Sequence, residues 1–348
     1  MKKILSSHLS RESCIMGLEI DKRKMMFCTA VRILKTSIGI RSNKKTMLPS
    51  LPFGVKVESL LTDFRRVEEI SYSEALDGYI FIEDKKGIPS YGFQEKAVSF
   101  TGPFSQLQNE ATDSRFTLWG NQGFLYRYAL YLLEKKHGIY NCHACALYQE
   151  DRDILYVIIG GAGSGKTVYL LSGLEKGLKL FSTETVHFKL DNGNIIWFMG
   201  SLVDNVRYGT LIHDFPRFLP PGEIPDPQNI WQTKIAIDLS SYCAQIDTLT
   251  NPRTVHILFP RIENGFERTF WHPVKDTDKA IKNLFDNITQ KLSETILLYD
   301  KMPVLGLDER DLASGRLKSV QDLVIHETVV EISEVLSNPR NCWGDILN

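Results

Sequence analysis

The residues best equipped for chemistry form one unbroken run. Gly160, Gly161, Ala162, Gly163, Ser164, Gly165, Lys166 and Thr167 complete the pattern G-x-x-x-x-G-K-[ST]. Glycines let successive backbone N–H groups turn inward on a phosphate, and a helix beginning there presents its positive end to the same anion. Lys166 has the reach for the β- and γ-phosphates of ATP, and the Thr167 hydroxyl suits Mg²⁺. A chance match in a chain of 348 residues is on the order of one per cent at average residue usage, so an accidental glycine-rich turn is the poorer reading. The expected nucleotide contacts run from Gly160 through Val168.

The surrounding sequence supplies the elements such a loop needs. Ile154–Ile159 is an apolar strand, and a helix is predicted from Lys166 to Lys176, stopped by Gly177. A strand over Leu178–Phe181 follows at once and ends in Ser182, Thr183, Glu184 and Thr185. Next comes a hairpin, Val186–Leu190 and Ile195–Met199, around Asp191, Asn192, Gly193 and Asn194. Upstream, His143–Tyr148 reads as one strand, preceded by a helix from Gln122 to Lys136. Downstream, a proline-rich loop leads to strands at Lys234–Leu239 and Thr254–Phe259. An amphipathic helix over Lys279–Tyr299 carries Ile281, Leu284, Ile288 and Leu292 on one face. The fold class expected is α/β, a mixed sheet with flanking helices, in three parts. Residues 1–120 make an amino-terminal β-rich or α+β unit, 121–300 the phosphate-loop domain, and 301–348 a helical, surface-docked tail.

Composition sets the limits. The chain is 43% hydrophobic and 24% charged, with 41 Lys/Arg against 42 Asp/Glu, which is ordinary for a globular protein and excludes a disordered or collagen-like one. The near-neutral balance argues against a dedicated nucleic-acid site, whose affinity rests on many phosphate contacts. Residues 1–46 nevertheless hold eleven Lys/Arg and three Asp/Glu; such a segment has the sign to meet a polyanion, although most basic runs are simply solvated. No apolar stretch approaches the ~18 residues of a membrane span, and the start lacks the apolar core of a secretory signal. Six cysteines in so long a chain do not make a disulfide scaffold. A soluble, reduced, cytoplasmic protein is expected.

Three segments together resemble the HPr kinase/phosphorylase family: Cys142-His-Ala-Cys-Ala-Leu147, Tyr156 through the phosphate loop to Thr167, and Gly173 through Val186. The match is close over residues 139–200 and loose to about 260, and it does not reach the first 120. The resemblance implies a phosphoenolpyruvate carboxykinase-like kinase core that uses ATP and Mg²⁺. It places an active-site histidine at His143 and a metal-binding acid at Glu184, so that His143, Lys166 and Glu184 become the implied catalytic set and Thr167 and Glu184 the metal set. The family carries a pair of acids where this chain has Thr183 and Glu184, so one carboxylate is missing. Its second arginine-containing motif is matched only weakly by Asp204-Asn-Val-Arg-Tyr-Gly209, and recognition of HPr itself is not implied.

Plainer readings stand beside these. His143 also fits a strand histidine bonded to backbone, and Glu184 a solvated strand-end acid. Cys142 and Cys145, three apart on a strand, would point to opposite faces and cannot share an ion. Asp204, Arg207, His213 and Asp214 fall in a loop after the hairpin where an acceptor site could form, and Arg253 and Arg261 bracket a strand from which they could neutralise a transferred phosphoryl group. The leading expectation is a kinase transferring the γ-phosphoryl of ATP to a hydroxyl of a small molecule or a serine of a peptide or protein. Its general base would be Glu184, His143, Asp204 or Asp214. The partners would be the nucleotide and that acceptor, with no membrane, and a homo-oligomer is compatible with the sequence. The rivals are an ATP-binding regulatory or assembly protein without transfer, which Thr183 favours, and an ATP-hydrolysing NTPase, which the hairpin after Glu184 disfavours by leaving no room for a switch region.

Overall fold

A computed structural model describes residues 25–50, 52–54, 59–161, 163–222, 228–263, 265, 268–326, 330–339 and 341–347. Most of the basic amino-terminal segment, together with Ala162 and the prolines at 225 and 227, lies outside the described residues. The architecture is mixed α/β, with several sheets and flanking helices.

The amino-terminal half is one six-stranded mixed sheet. Its strands are β1 (Phe27–Ile33), β2 (Thr36–Ser42), β3 (Val67–Ile70), β4 (Gly78–Asp84), β5 (Ser90–Gln94) and β6 (Ala97–Gly102). They lie in the order β3-β1-β2-β4-β6-β5. Helix α1 (Phe104–Glu110) follows, then α2 (Phe124–His137), which is buried along almost its whole length and ends at Gly138 in the left-handed conformation, φ +61°. Only a residue tolerant of that conformation closes the helix without strain.

The phosphate loop belongs to a second sheet. After β7 (Tyr140–Cys142) come β8 (Ala144–Gln149), β9 (Ile154–Ile159), α3 (Lys166–Glu175) and β10 (Lys179–Ser182). The predicted hairpin is β11 (Val186–Asp191) and β12 (Asn194–Phe198), followed by β13 (Val203–Arg207), α4 (Tyr208–His213), β14 (Lys234–Asp238) and β15 (Thr248–Thr250). The chain continues through β16 (Thr254–Ile262), β17 (Phe270–Pro273), α5 (Thr277–Ser293), β18 (Ile296–Leu298), β19 (Met302–Val304), α6 (Arg310–Ile325) and β20 (Val330–Ser337). The main sheet runs β10-β8-β9-β16-β20-β17, with β9, β16 and β20 parallel at its centre and antiparallel strands outside them. Parallel neighbours need crossover connections with helices on the faces; α3, α5 and α6 lie in those crossovers. The hairpin joins β7 and β15 in a separate four-stranded sheet, and β13 pairs with β14 as an isolated ribbon.

The strand predicted over His143–Tyr148 is present as β8, one residue further on; a separate short strand, β7, ends at Cys142 in another sheet, so His143 sits at the crossing point. Two expectations are corrected. The helix predicted to reach Tyr299 stops at Ser293, and Ile296–Leu298 is a strand. The helical tail is true only of Arg310–Ile325; β20 is a central strand of the main sheet, hydrogen-bonded between β16 and β17. Its alternating burial, with Ser333, Val335 and Ser337 inward, is legible only once neighbours exist on both sides.

Two large cores result. One surrounds the main sheet and includes Trp343, fully buried, whose indole N–H donates to the Tyr169 carbonyl on α3 at 2.9 Å. The other combines the amino-terminal sheet and α2 with residues from Leu292 to Leu312. Among the described residues no helix is long and apolar enough to cross a membrane.

Because Trp343 fills space against Tyr156, Tyr169 and Gly173, Trp343→Ala is expected to cost about 3–5 kcal/mol. Calorimetry should then show a fall in Tm of several degrees. A Tm within a degree of wild type would mean that the carboxy-terminal residues do not belong to this core.

Candidate functional site

The apolar strand β9 is buried along its length and delivers the chain to Gly160, just past the last β9–β16 pair at Leu258. Gly165 has φ +101°, and a Cβ there would stand 2.2 Å from Ile262 Cγ1, so this position admits only glycine. Gly163 has φ +81° with open space in front of it, as does Gly161. The glycines thus divide into one that lets the loop pack on β16 and two that leave room for a ligand. Lys166 opens α3, and its ammonium donates to the carbonyls of Gly160 and, at 3.2 Å, of Gly161. Burial pushes its pKa down. The Ser164 hydroxyl is buried with no protein partner among the described residues. A loop whose lysine folds back on its own carbonyls, beside an unsatisfied hydroxyl, has the chemistry of an anion cradle.

The cradle opens on a cleft of about 390 Å³ whose lining gathers most of the residues the sequence singled out: His143, Gly161, Gly163, Gly165, Lys166, Thr167, Val168, Thr183 and Glu184. Four further charged residues join them: Asp204 and Arg207, which the sequence also offered, and Lys234 and Lys291, which it did not.

His143 is placed by Asn287 on α5. That amide accepts from the His143 N–H at 2.9 Å and donates to its carbonyl at 3.0 Å, clamping the backbone where the chain changes sheets. Burial, then Lys166 and Lys291, push the imidazole pKa down to about 4. At neutral pH the ring is uncharged and has one nitrogen free to accept a proton.

Thr183 does structural work. Its buried hydroxyl donates to the Val203 carbonyl at 2.6 Å and lies 2.8 Å from the Ser201 hydroxyl, which also accepts from the Glu184 N–H at 2.8 Å. A carboxylate at position 183 would meet that carbonyl head on. Strand β13, held by this contact, carries the next residue, Asp204.

Asp204, expected in a loop where an acceptor site could form, is instead a buried strand residue. One of its oxygens, Oδ2, has no hydrogen-bond partner among the described residues, and the Thr167 hydroxyl lies against the carboxyl group. Burial, and after it the Glu184 charge, push its pKa up to about 7. A second carboxylate therefore reaches the cleft from a strand 20 residues beyond Thr183. Its sequence signals were a weak match to the arginine-containing motif and its place after the hairpin.

Asp63 was not foreseen at all. This amino-terminal residue is fully buried, and burial followed by Glu184 raises its pKa to about 7 against the opposing Lys291. Its carbonyl accepts from the Thr185 hydroxyl at 3.0 Å, Phe64 stacks on His187 at 5.0 Å, and Arg66 grips Asp247 through two bonds of 2.7 Å.

Other candidates lie elsewhere. Arg261 pairs with Glu263, Arg253 anchors its N–H on Asp153, His213 stacks on Trp231, and Asp214 ends α4; none lines the cleft. Cys142 and Cys145 are free buried thiols on strands of different sheets, with pKa values raised by burial. Among the described residues no cluster of three His, Cys, Asp or Glu has metal-binding geometry.

No family model and no curated protein matches the chain. Among solved structures it is similar to the HPr(Ser) kinase/phosphatase from Coxiella burnetii, at 15% identity over 43% of this chain and 91% of that one, with a TM-score of 0.21. At that identity and score the likeness carries no argument about function, which rests on the side chains of the cleft.

The burial of Asp204 has a thermodynamic sign. An acid whose folded pKa is raised keeps its proton in the fold at pH values where the unfolded chain has lost it, so stability falls as pH rises from about 4 to about 7. Asp204→Asn removes that penalty. Its Tm is expected to equal wild type near pH 4 and to exceed it by about 2–5 °C at pH 8. Thermal scans at the two pH values check this, and an equal or lower Tm at pH 8 would count against a costly buried carboxyl.

Proposed function

We propose that the chain is an ATP- and Mg²⁺-dependent phosphotransferase that moves the γ-phosphoryl group to a hydroxyl of a small molecule or of a serine in a peptide or protein. One observation carries this reading: the phosphate-loop hydroxyl of Thr167 faces Asp204, whose buried Oδ2 has no protein partner, with Glu184 in the same cleft. An orphaned carboxylate oxygen beside a hydroxyl and a second carboxylate is the oxygen-rich, incompletely protein-filled donor set that Mg²⁺ takes alongside phosphates. Thr167, Asp204 and Glu184 would hold the ion. When bound, Mg²⁺ would offset the charge of the phosphates.

The remaining residues divide the work. Lys166 exchanges its loop carbonyls for phosphate oxygens, and the Ser164 hydroxyl and the loop N–H groups complete the cradle. Arg207 and Lys234 stand directly opposite each other across the β13–β14 ribbon, and neither forms an ion pair among the described residues. Like charges facing across strands are unfavourable by themselves; a phosphoryl group between them relieves the repulsion, and spreading charge in a loose transition state strengthens the contact. They take the role that the sequence suggested for Arg253 and Arg261. His143, neutral and facing the cleft, accepts the hydroxyl proton as the oxygen attacks phosphorus and ADP departs. Of the other bases weighed, Asp214 is outside the cleft, and Asp204 and Glu184 serve the metal.

The loss of an acid at Thr183 favoured a protein that only binds ATP. Asp204 supplies a second carboxylate by another route, which supports transfer over binding alone.

Lys166→Ala removes a charge-assisted contact worth roughly 1.5–3 kcal/mol. Labelled ATP titrated with Mg²⁺ present should bind at least about tenfold more weakly, and equal affinities would sink the phosphate-loop reading. His143→Ala should keep the Tm within a few degrees while lowering turnover with γ-labelled ATP by about 10²-fold or more. A variant that unfolds yet retains normal residual turnover would make His143 a core residue.

A further inference from the structure

A second hollow, also about 390 Å³, lies on the other side of the phosphate loop, between β16 and α5. It shares Gly161 with the catalytic cleft, so whatever occupies the two together passes over the loop itself. The two spaces differ in charge. The cleft is lined by Lys166, Arg207, Lys234 and Lys291. In the hollow the one charged side chain among the described lining residues is Asp286, and it is paired with Lys282 at 2.5 Å.

The hollow is built for an uncharged, flat group. Ile159, at the buried end of β9, and Phe259, one residue beyond the last β9–β16 pair, make its apolar floor. Asn283 and Asn287 come from one stripe of α5, spaced four apart, while Leu284 and Ile288 on the neighbouring face are buried in the core. Asn287 is spent on the backbone of His143. Asn283 is half-buried and has no hydrogen bond among the described residues. An amide offers a donor and an acceptor side by side, which matches the edge of a nucleobase, and an aromatic ring beside it supplies a stacking face.

We propose that this hollow seats the nucleoside of the nucleotide whose phosphates lie in the loop, with Phe259 against the base and Asn283 on its edge. The inference rests on the phosphotransferase reading and adds to it where the uncharged half of the donor goes. A chain extending from the cradle across Gly161 reaches the hollow without passing the cationic ribbon, which leaves the far side of the cleft to the acceptor. It also gives α5 two duties on one face: Asn287 holds the proton acceptor and Asn283 the base.

The test compares ATP with inorganic tripolyphosphate, which has the phosphates and no nucleoside. In competition against labelled ATP with Mg²⁺ present, wild type is expected to bind ATP at least about tenfold more tightly than tripolyphosphate. Asn283→Ala and Phe259→Leu, the latter keeping apolar bulk so that the floor stays filled, should each weaken ATP about fivefold or more and leave tripolyphosphate unchanged. Variants that weaken both ligands alike, or neither, overturn the assignment, as does a wild type that binds the two equally. The underlying reading fails by a different sign: tripolyphosphate that does not bind, or that binds equally to Lys166→Ala, refutes the phosphate loop and this inference with it.

Discussion

Three carboxyl groups interact at one site: Glu184 and Asp204 line the cleft, Asp63 lies within the field of Glu184, and Asp63 and Asp204 are buried. Burying like charges is among the most costly things a fold can do. The architecture around them answers that cost. Lys291 from α5 faces Asp63, Lys234 from the ribbon faces Asp204, and Lys166 from the loop faces both Glu184 and Asp204. Burial, with Lys166 and Lys291, lowers the pKa of His143. Burial and the Glu184 charge raise the pKa of Asp63 and Asp204, and burial lowers that of Lys166. The proposed function gives this cluster two opposite charges to bind, a divalent ion for the acids and phosphates for the lysines.

The amino-terminal half is part of this constraint. The Asp63 carbonyl fixes the Thr185 hydroxyl while the Ser201 hydroxyl fixes the Glu184 N–H, so the Glu184 backbone is held from both sides by elements far apart in sequence. The Arg66–Asp247 fork and the Phe64–His187 stack fasten the same segment to the hairpin sheet. A unit with no chemistry legible in its own sequence therefore stiffens the acidic wall of the cleft. The buried Arg316, bonded to Glu134 and Asp308, ties α6 to α2 in the same way, across the sequence boundary drawn at 300.

Thr183 shows how an apparent loss can be reinterpreted by packing. Seen along the chain, it breaks an acidic pair. In the fold, its hydroxyl is the link that brings the Val203 carbonyl, and hence Asp204, to the phosphate loop. The distribution of carboxylates over two strands, in place of two neighbours on one turn, places one against Thr167 and leaves the other nearer the open cleft.

What the sequence determined by itself was local. The phosphate loop, β9, α3, the hairpin at Asp191–Asn194 and the Gly138 helix stop follow from periodicity, glycine conformational freedom and turn chemistry, all of which act within about ten residues. His143 and Glu184 were legible as candidates through their spacing from that loop, and both line the cleft. Asp204 was named but placed in a loop, because the short segment Val203–Arg207 becomes a strand only by pairing with Lys234–Asp238. Asp63, Lys234 and Lys291 were invisible, since nothing in their neighbourhoods distinguishes them from any surface charge or turn acid. The change of sheet at His143 and the insertion of β20 into the main sheet were likewise decided by pairing with segments distant in the sequence. Hydrogen bonds across a sheet and the electrostatics of burial depend on what arrives from elsewhere in the chain, and only the tertiary structure contains that information.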